Sequence, residues 1–145
     1  MRLVLGSDHA GFERKTILKQ WLHERGYQVD DLGTHSEYSC DYPDFSHPVA
    51  RAVEAGQYDY GIVLCGSANG TCMTANKHQG IRAGLCWTPE ISRLARAHND
   101  ANMLCIPARF VEQDAACKIT ETFLNTSFEG GRHQKRVAKI PADQD

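Results

Sequence analysis

The sequence predicts an α/β protein whose five-stranded parallel sheet is covered by helices on both faces. Short apolar runs rich in β-branched residues recur at 2–6, 27–32, 60–64, 80–87 and 103–107. The segments between them carry apolar residues at helical spacing. At 145 residues and 41% hydrophobic content, the chain can bury one sizeable core.

The first strand leads into Ser7-Asp8-His9-Ala10-Gly11, and a helix over 12–25 follows with Ile17, Leu18, Trp21 and Leu22, closed by Gly26. The second strand ends before Gly33. A polar loop over 34–44 precedes a helix for which Ser46 is the expected N-cap and Pro48 a first-turn residue. That helix carries Val49, Ala50, Ala52 and Val53 and ends at Gly56. After the third strand, small residues pass into a short helix over 71–76. Thr88-Pro89-Glu90 opens the next helix with a cap, a proline at N1 and an acid in the first turn. A helix over 111–125 places Ala115, Ala116, Ile119 and Phe123 on one face. Beyond Gly130-Gly131, residues 132–139 read as a short terminal helix, within an expected terminal helix and tail over 131–145. Without repeats, low-complexity tracts or linkers, residues 1–145 read as a single domain.

The net charge of −2 gives no bias toward nucleic acid or an anionic membrane. No apolar run approaches the roughly 20 residues that span a bilayer. The first residues read as a strand rather than a secretory signal, so a cytoplasmic location is expected. The six cysteines are dispersed, with no CxxC, which favours neither a disulfide framework nor a zinc site. Cys86, Cys105 and Cys117 read as core residues, and Cys40 stands in a loop.

In open parallel sheets, ligands bind beyond the strand C-termini where strand order reverses. That rule singles out Asp8-His9, the stretch from Cys65 to Gly70, and Arg109, with His98-Asn99-Asp100 entering the last strand. At Cys65, a thiol meets a turn of small residues and a helix start. Converging amides there would hold an anion and lower a thiol pKa. A packed turn with an inert cysteine fits the same residues. Asp8 and His9 suit proton shuttling or anion contact, or equally a helix cap beside an exposed histidine. His98 is an acid/base candidate, or a helix-terminal histidine favoured by the dipole. Arg132 and Arg136, four apart on a helix, suit a phosphate, or form a solvated basic end. None of His23, His35, His47, His78 and His133 has metal-ligand spacing to a partner. Together the set suits cofactor-free proton transfer beside a carbonyl on a small phosphorylated substrate.

An ordered series of motifs resembles the type B ribose-5-phosphate isomerases and the related galactose-6-phosphate isomerase subunits. They are Gly6-Ser7-Asp8-His9-Ala10-Gly11-Phe12, Asp41-Tyr42-Pro43, Cys65-Gly66-Ser67, Ala75-Asn76-Lys77, Gly80-Ile81-Arg82-Ala83, His98-Asn99-Asp100-Ala101-Asn102, and Gly130-Gly131-Arg132-His133-Gln134-Lys135-Arg136-Val137. The resemblance runs from residue 3 to about residue 140. It implies a Rossmann-like three-layer α/β/α sandwich and a homodimer, or a dimer of dimers, whose sites draw on both subunits. It implies no metal and no cofactor, and a sugar phosphate as ligand. By the resemblance, Cys65 is the base between C2 and C1, with Ser67 beside it. Gly66, Asn69 and Gly70 lie in the turn that holds the enediolate oxygen. Asp8 and His98 assist ring opening, Tyr42 and Asn99 meet the sugar, and His9, Arg109, Arg132 and Arg136 meet the phosphate.

Two departures stand out. Ala68 replaces the middle glycine of the family turn, which predicts φ below zero at that position. Thr71 stands where a second branch carries a glutamate base, which places this chain with the cysteine branch. The expected reaction interconverts ribose 5-phosphate and ribulose 5-phosphate. Galactose- or allose-6-phosphate isomerisation is the alternative in the same class, and a non-catalytic sugar-phosphate sensor is the alternative outside it.

Overall fold

The computed structural model describes residues 1–142, so the last three positions of the expected tail lie outside the described residues. Five parallel strands form one sheet in the order β2-β1-β3-β5-β4. They are β1 (Arg2–Ser7), β2 (Gln28–Asp31), β3 (Tyr60–Cys65), β4 (Ala83–Leu85) and β5 (Met103–Pro107). The helices are α1 (Phe12–Glu24), α2 (Pro43–Glu54), α3 (Asn69–Ala75), α4 (Pro89–Asn99), α5 (Gln113–Asn125) and α6 (Gln134–Val137). The expected Rossmann-like sandwich is present.

Alternation along the central strands builds two cores. Leu3, Leu5, Ile62, Leu64, Leu104 and Ile106 face α1, α4 and α5, where Leu18, Leu22, Ile119 and Phe123 close over them. Val4, Val63, Met103 and Cys105 face α2 and α3, against Val49, Ala50, Val53 and Ala75. Cys86 and Cys105 are buried as expected, and all six cysteines are free thiols.

Several boundaries differ from the sequence reading, each for a physical reason. α2 begins at Pro43, three residues before the expected cap, because Pro43 itself takes the first turn. Ser46 therefore lies buried inside the helix, where its hydroxyl donates to Thr71 O at 2.7 Å and pins α2 to α3. Pro48 is an interior residue of α2. β4 has three residues rather than eight, and it starts only at Ala83 because the Asn102 side chain takes the Arg82 amide at 2.8 Å. On α1, Ile17 is 44% exposed, and Lys15 takes a fully buried position instead. Lys15 Nζ donates to Asp31 Oδ1 at 2.5 Å and to Thr34 O at 2.7 Å. The terminal segment is a 3-10 turn, Gly131–His133, followed by the short α6.

Candidate active site

After β1 the chain adds β2 on one flank, and β3 then starts the other, so strand order reverses between β1 and β3. The two carboxyl ends are tied where the Asp8 amide donates to Leu64 O at 3.3 Å. Asp8 is 7% exposed, and its Oδ1 accepts from the amides of Ala10 and Gly11 at 3.0 and 3.1 Å. Those bonds fix the carboxylate over the turn it caps, and its charge is felt at Cys65, the last residue of β3.

The Cys65 thiol is buried, and burial pushes its pKa above the ordinary thiol value. The Thr71 amide pulls it back, the Asp8 carboxylate pushes it up again, and the Ala68 and Ser67 amides pull it down. Desolvation wins. The expected net lowering by the helix start is therefore corrected: the amides are present, but burial outweighs them and favours the thiol over the thiolate.

The turn after Cys65 corrects a second expectation. Ala68 has φ of 64° and ψ of −1°, in the left-handed region, although it is not glycine. Its methyl is buried with Val4, Val49 and Val63. At the same residue, Ala68 O accepts from the Cys72 amide at 3.0 Å and opens α3. The turn's shape is thus fixed from both sides, and alanine bears a strain of about 1 kcal/mol to follow it. Ser67 Oγ accepts from the Asn69 amide at 3.3 Å, which folds the turn over itself.

Three further candidates rim this crevice. The Arg109 side chain lies along Gly66, where a Cβ would stand 3.3 Å from its Cδ and Nη1. The Arg109 amide donates to Gly66 O at 3.0 Å. The Tyr42 ring covers Gly70 so closely that any side chain there would run into it. His9 Nδ1 accepts from the Cys40 amide at 3.2 Å, which leaves Nε2 to carry the proton of the neutral ring. Asp8, His9, Tyr42, Cys65, Gly66, Ser67, Asn69, Gly70 and Arg109 thus form one group.

His98, Asn99, Arg132 and Arg136 form another. α4 leaves the carboxyl edge of the sheet at Thr88 and returns to the opposite edge, so His98 and Asn99 sit where β5 begins. Pro107, at the far end of β5, is the residue in register with Cys65. The length of a five-residue strand, about 16 Å, therefore separates the level of His98 from that of Cys65. Among the described residues, no hydrogen bond or ion pair joins the two groups. His98 instead stacks on His133, with ring centroids 4.2 Å apart. Burial, His98 and Arg132, in that order, lower the His133 pKa. Arg132 and Arg136 are exposed, and Arg136 Nη1 donates to Arg132 O at 3.5 Å.

Residues 3–140 match the model of the Ribose/Galactose Isomerase family. The chain belongs to that family. It is 43% identical over 141 residues to the ribose-5-phosphate isomerase B of Escherichia coli strain K12, covering 97% of this chain and 95% of that protein. A crystal structure of a ribose 5-phosphate isomerase from Thermotoga maritima superposes with a TM-score of 0.95 at 45% identity, covering 97% of each chain. The ribose-5-phosphate isomerase B of Mycoplasma genitalium, crystallised with bound ribulose-5-phosphate, superposes with a TM-score of 0.92 at 41% identity, covering 96% of this chain and 93% of that one.

Three features of this family member escaped the sequence reading. The Lys15–Asp31–Thr34 contact holds the loop that leads to Cys40 and Tyr42, and nothing in helical spacing marks Lys15 as buried. The Cys40 amide orients His9 through its backbone, which side-chain identity does not signal. Glu129 and His133 come to His98 across a turn in which Gly130 and Gly131 have φ of 67° and 55°. The adjacent glycines were the only signal of that turn.

Proposed function

We propose that this chain is an aldose-ketose isomerase that interconverts ribose 5-phosphate and ribulose 5-phosphate through an enediolate, with Cys65 as the base. The observation that carries this reading is Cys65 itself, buried at the crossover between β1 and β3, ringed by the amides of Ser67, Ala68 and Thr71 and facing Asp8. The names of the relatives and the ribulose-5-phosphate in the Mycoplasma genitalium structure support the substrate.

Ring opening comes first, with Asp8 and His98 moving the proton from the C1 hydroxyl to the ring oxygen. In the minor fraction of sites whose Cys65 thiol has given its proton to solvent, the thiolate then removes the C2 proton, and the electron pair of that bond forms the C1–C2 double bond of the enediolate. Amides of the turn from Gly66 to Gly70 receive the developing oxyanion, where one such donor is worth about 3 kcal/mol. The sulfur returns its proton to C1 while the C2 hydroxyl proton passes to O1, which leaves a C2 ketone. Backbone amides supply the stabilisation on this route, without a metal. Arg109 and His9 grip the phosphate and so hold C1 and C2 beside sulfur.

His98 stands at the wrong edge of the sheet to serve the Cys65 of its own chain. We therefore infer a homodimer in which His98, Asn99, Arg132 and Arg136 enter the site of the partner subunit. A two-fold axis makes the exchange mutual and gives two equal sites.

Cys65→Ala is expected to abolish isomerisation while ribose 5-phosphate still binds by calorimetry. Appreciable turnover by that variant excludes Cys65 as the base. Steady-state rates on ribose 5-phosphate, allose 6-phosphate and galactose 6-phosphate test the substrate, and a clear hexose preference overturns the assignment.

A further inference from the structure

The end of α4 carries a second constellation that the isomerase chemistry does not use as a unit. His98 Nε2 and His133 Nε2 each lie 3.7 Å from Glu129 Oε2. The three donor atoms all fall within 4.8 Å of one another. The scaffold builds this meeting. The Glu129 amide donates to Ala97 O at 2.9 Å, and Arg96 Nε donates to Thr126 O at 3.2 Å, so the segment after α5 is fastened to the last turn of α4. The left-handed Gly130 and Gly131 then bring His133 back over Glu129.

Two imidazoles and one carboxylate are a zinc-type donor set, with a fourth position open to water. Two nitrogen donors select against magnesium and calcium, which prefer oxygen. Tetrahedral coordination at ordinary zinc distances needs donors about 3.4 Å apart, so each imidazole must approach the carboxylate by roughly 0.3 Å from its present 3.7 Å. The imidazoles must also swing out of their stack so that both nitrogens point at one ion. Within a single chain the side chains of His98 and Glu129 are 35% and 52% exposed, so no contact inside the chain blocks that turn. The carbonyl end of α4 adds a favourable field for a cation and offsets part of the repulsion from Arg132 and Arg136.

We propose that His98, Glu129 and His133 form a binding site for a zinc-type divalent ion, and that its occupancy silences isomerisation. The second half rests on the reading of His98 as a ring-opening acid/base: an imidazole whose Nε2 is bound to metal has no proton to exchange there. The ion acts as an inhibitor, not a cofactor.

The test titrates cobalt(II) chloride and zinc chloride into the wild-type protein, Glu129→Gln and His133→Phe, the last keeping a ring stacked on His98. Visible absorption and calorimetry read binding, and ribose 5-phosphate turnover is followed in parallel. The wild type is expected to take one ion per chain, with cobalt d–d bands and no thiolate charge-transfer band. Both variants should bind about 10-fold or more weakly, since even outer-shell losses cost that much. Zinc should inhibit the wild type, while Glu129→Gln keeps basal turnover and resists zinc. Absent binding, binding unchanged in both variants, or a thiolate band that places the ion on a cysteine overturns the site. Binding lost in the variants without any zinc effect on wild-type turnover overturns the inhibitory half. Intact binding in a wild type that does not turn over ribose 5-phosphate counts against the isomerase reading and leaves the site standing.

Discussion

At Cys65 two effects of opposite sign meet in one side chain. The amides of Thr71, Ala68 and Ser67 favour the thiolate, while burial and the Asp8 carboxylate favour the thiol, and burial is the largest. A raised pKa means fewer thiolates at every pH below it. The wild-type kcat/KM should therefore keep climbing with pH beyond about 8.5, where an ordinary thiol is half ionised. Asp8→Asn removes one charge that opposes ionisation, so its residual kcat/KM profile should shift to lower pH even as the maximal rate falls. A profile that stays put excludes that coupling. Ala68 offers a second residue-scale test. Ala68→Gly relieves about 1 kcal/mol of left-handed strain and loses about 0.8 kcal/mol of buried methyl, so stability should change by less than about 1 kcal/mol. Ala68→Val should cost about 2 kcal/mol or more in urea unfolding, because a branched side chain tolerates neither the angle nor the packing. The sequence showed both residues and misjudged both states. Residue type marks a thiol at a turn, but desolvation and imposed dihedrals come from chain segments packed around it.

Between elements, polar contacts do what periodicity cannot announce. The five strands and the helices that alternate with them were legible because apolar spacing marks buried faces, as at Leu18 and Leu22 of α1 or Ile119 and Phe123 of α5. Lys15 was not legible, since a buried lysine looks like any surface lysine until Asp31 and Thr34 close on it. Burial lowers its pKa, and the hydrogen bond to Asp31 works against that shift. Asp31→Asn leaves the ammonium without its counter-charge and should cost about 3 kcal/mol in urea unfolding. Lys15→Met should cost less, because Asp31 keeps the Gly33 amide at 2.9 Å and Lys19 at 3.9 Å. Equal losses in the two variants would show that the pair does not couple α1 to β2. The early start of α2 has a similar lesson. Ser46 carries the chemistry of a cap, yet Pro43 starts the helix first and frees that hydroxyl to fasten α3 beneath the Cys65 turn.

For the molecule as a whole, the direction of the strands decides what one chain can do. The motifs that carry the family resemblance were all visible in order along the sequence, but their order says nothing about which edge of the sheet each one reaches. A parallel sheet sends every strand the same way, so residues that follow β1 and β3 share an edge, and residues that precede β5 stand at the other. Asp8 and Cys65 belong to the first set and His98 to the second, which divides the proposed machinery between two copies of the chain. Refolding together an equal mixture of Cys65→Ala and His98→Ala chains, each inactive alone, tests this directly. Half of the dimers formed at random are mixed, and each holds one site with both residues intact and one with neither. About a quarter of all sites are then whole. Recovery of about a quarter of wild-type turnover on ribose 5-phosphate is expected. A mixture as inactive as its two components would contradict this division of the site.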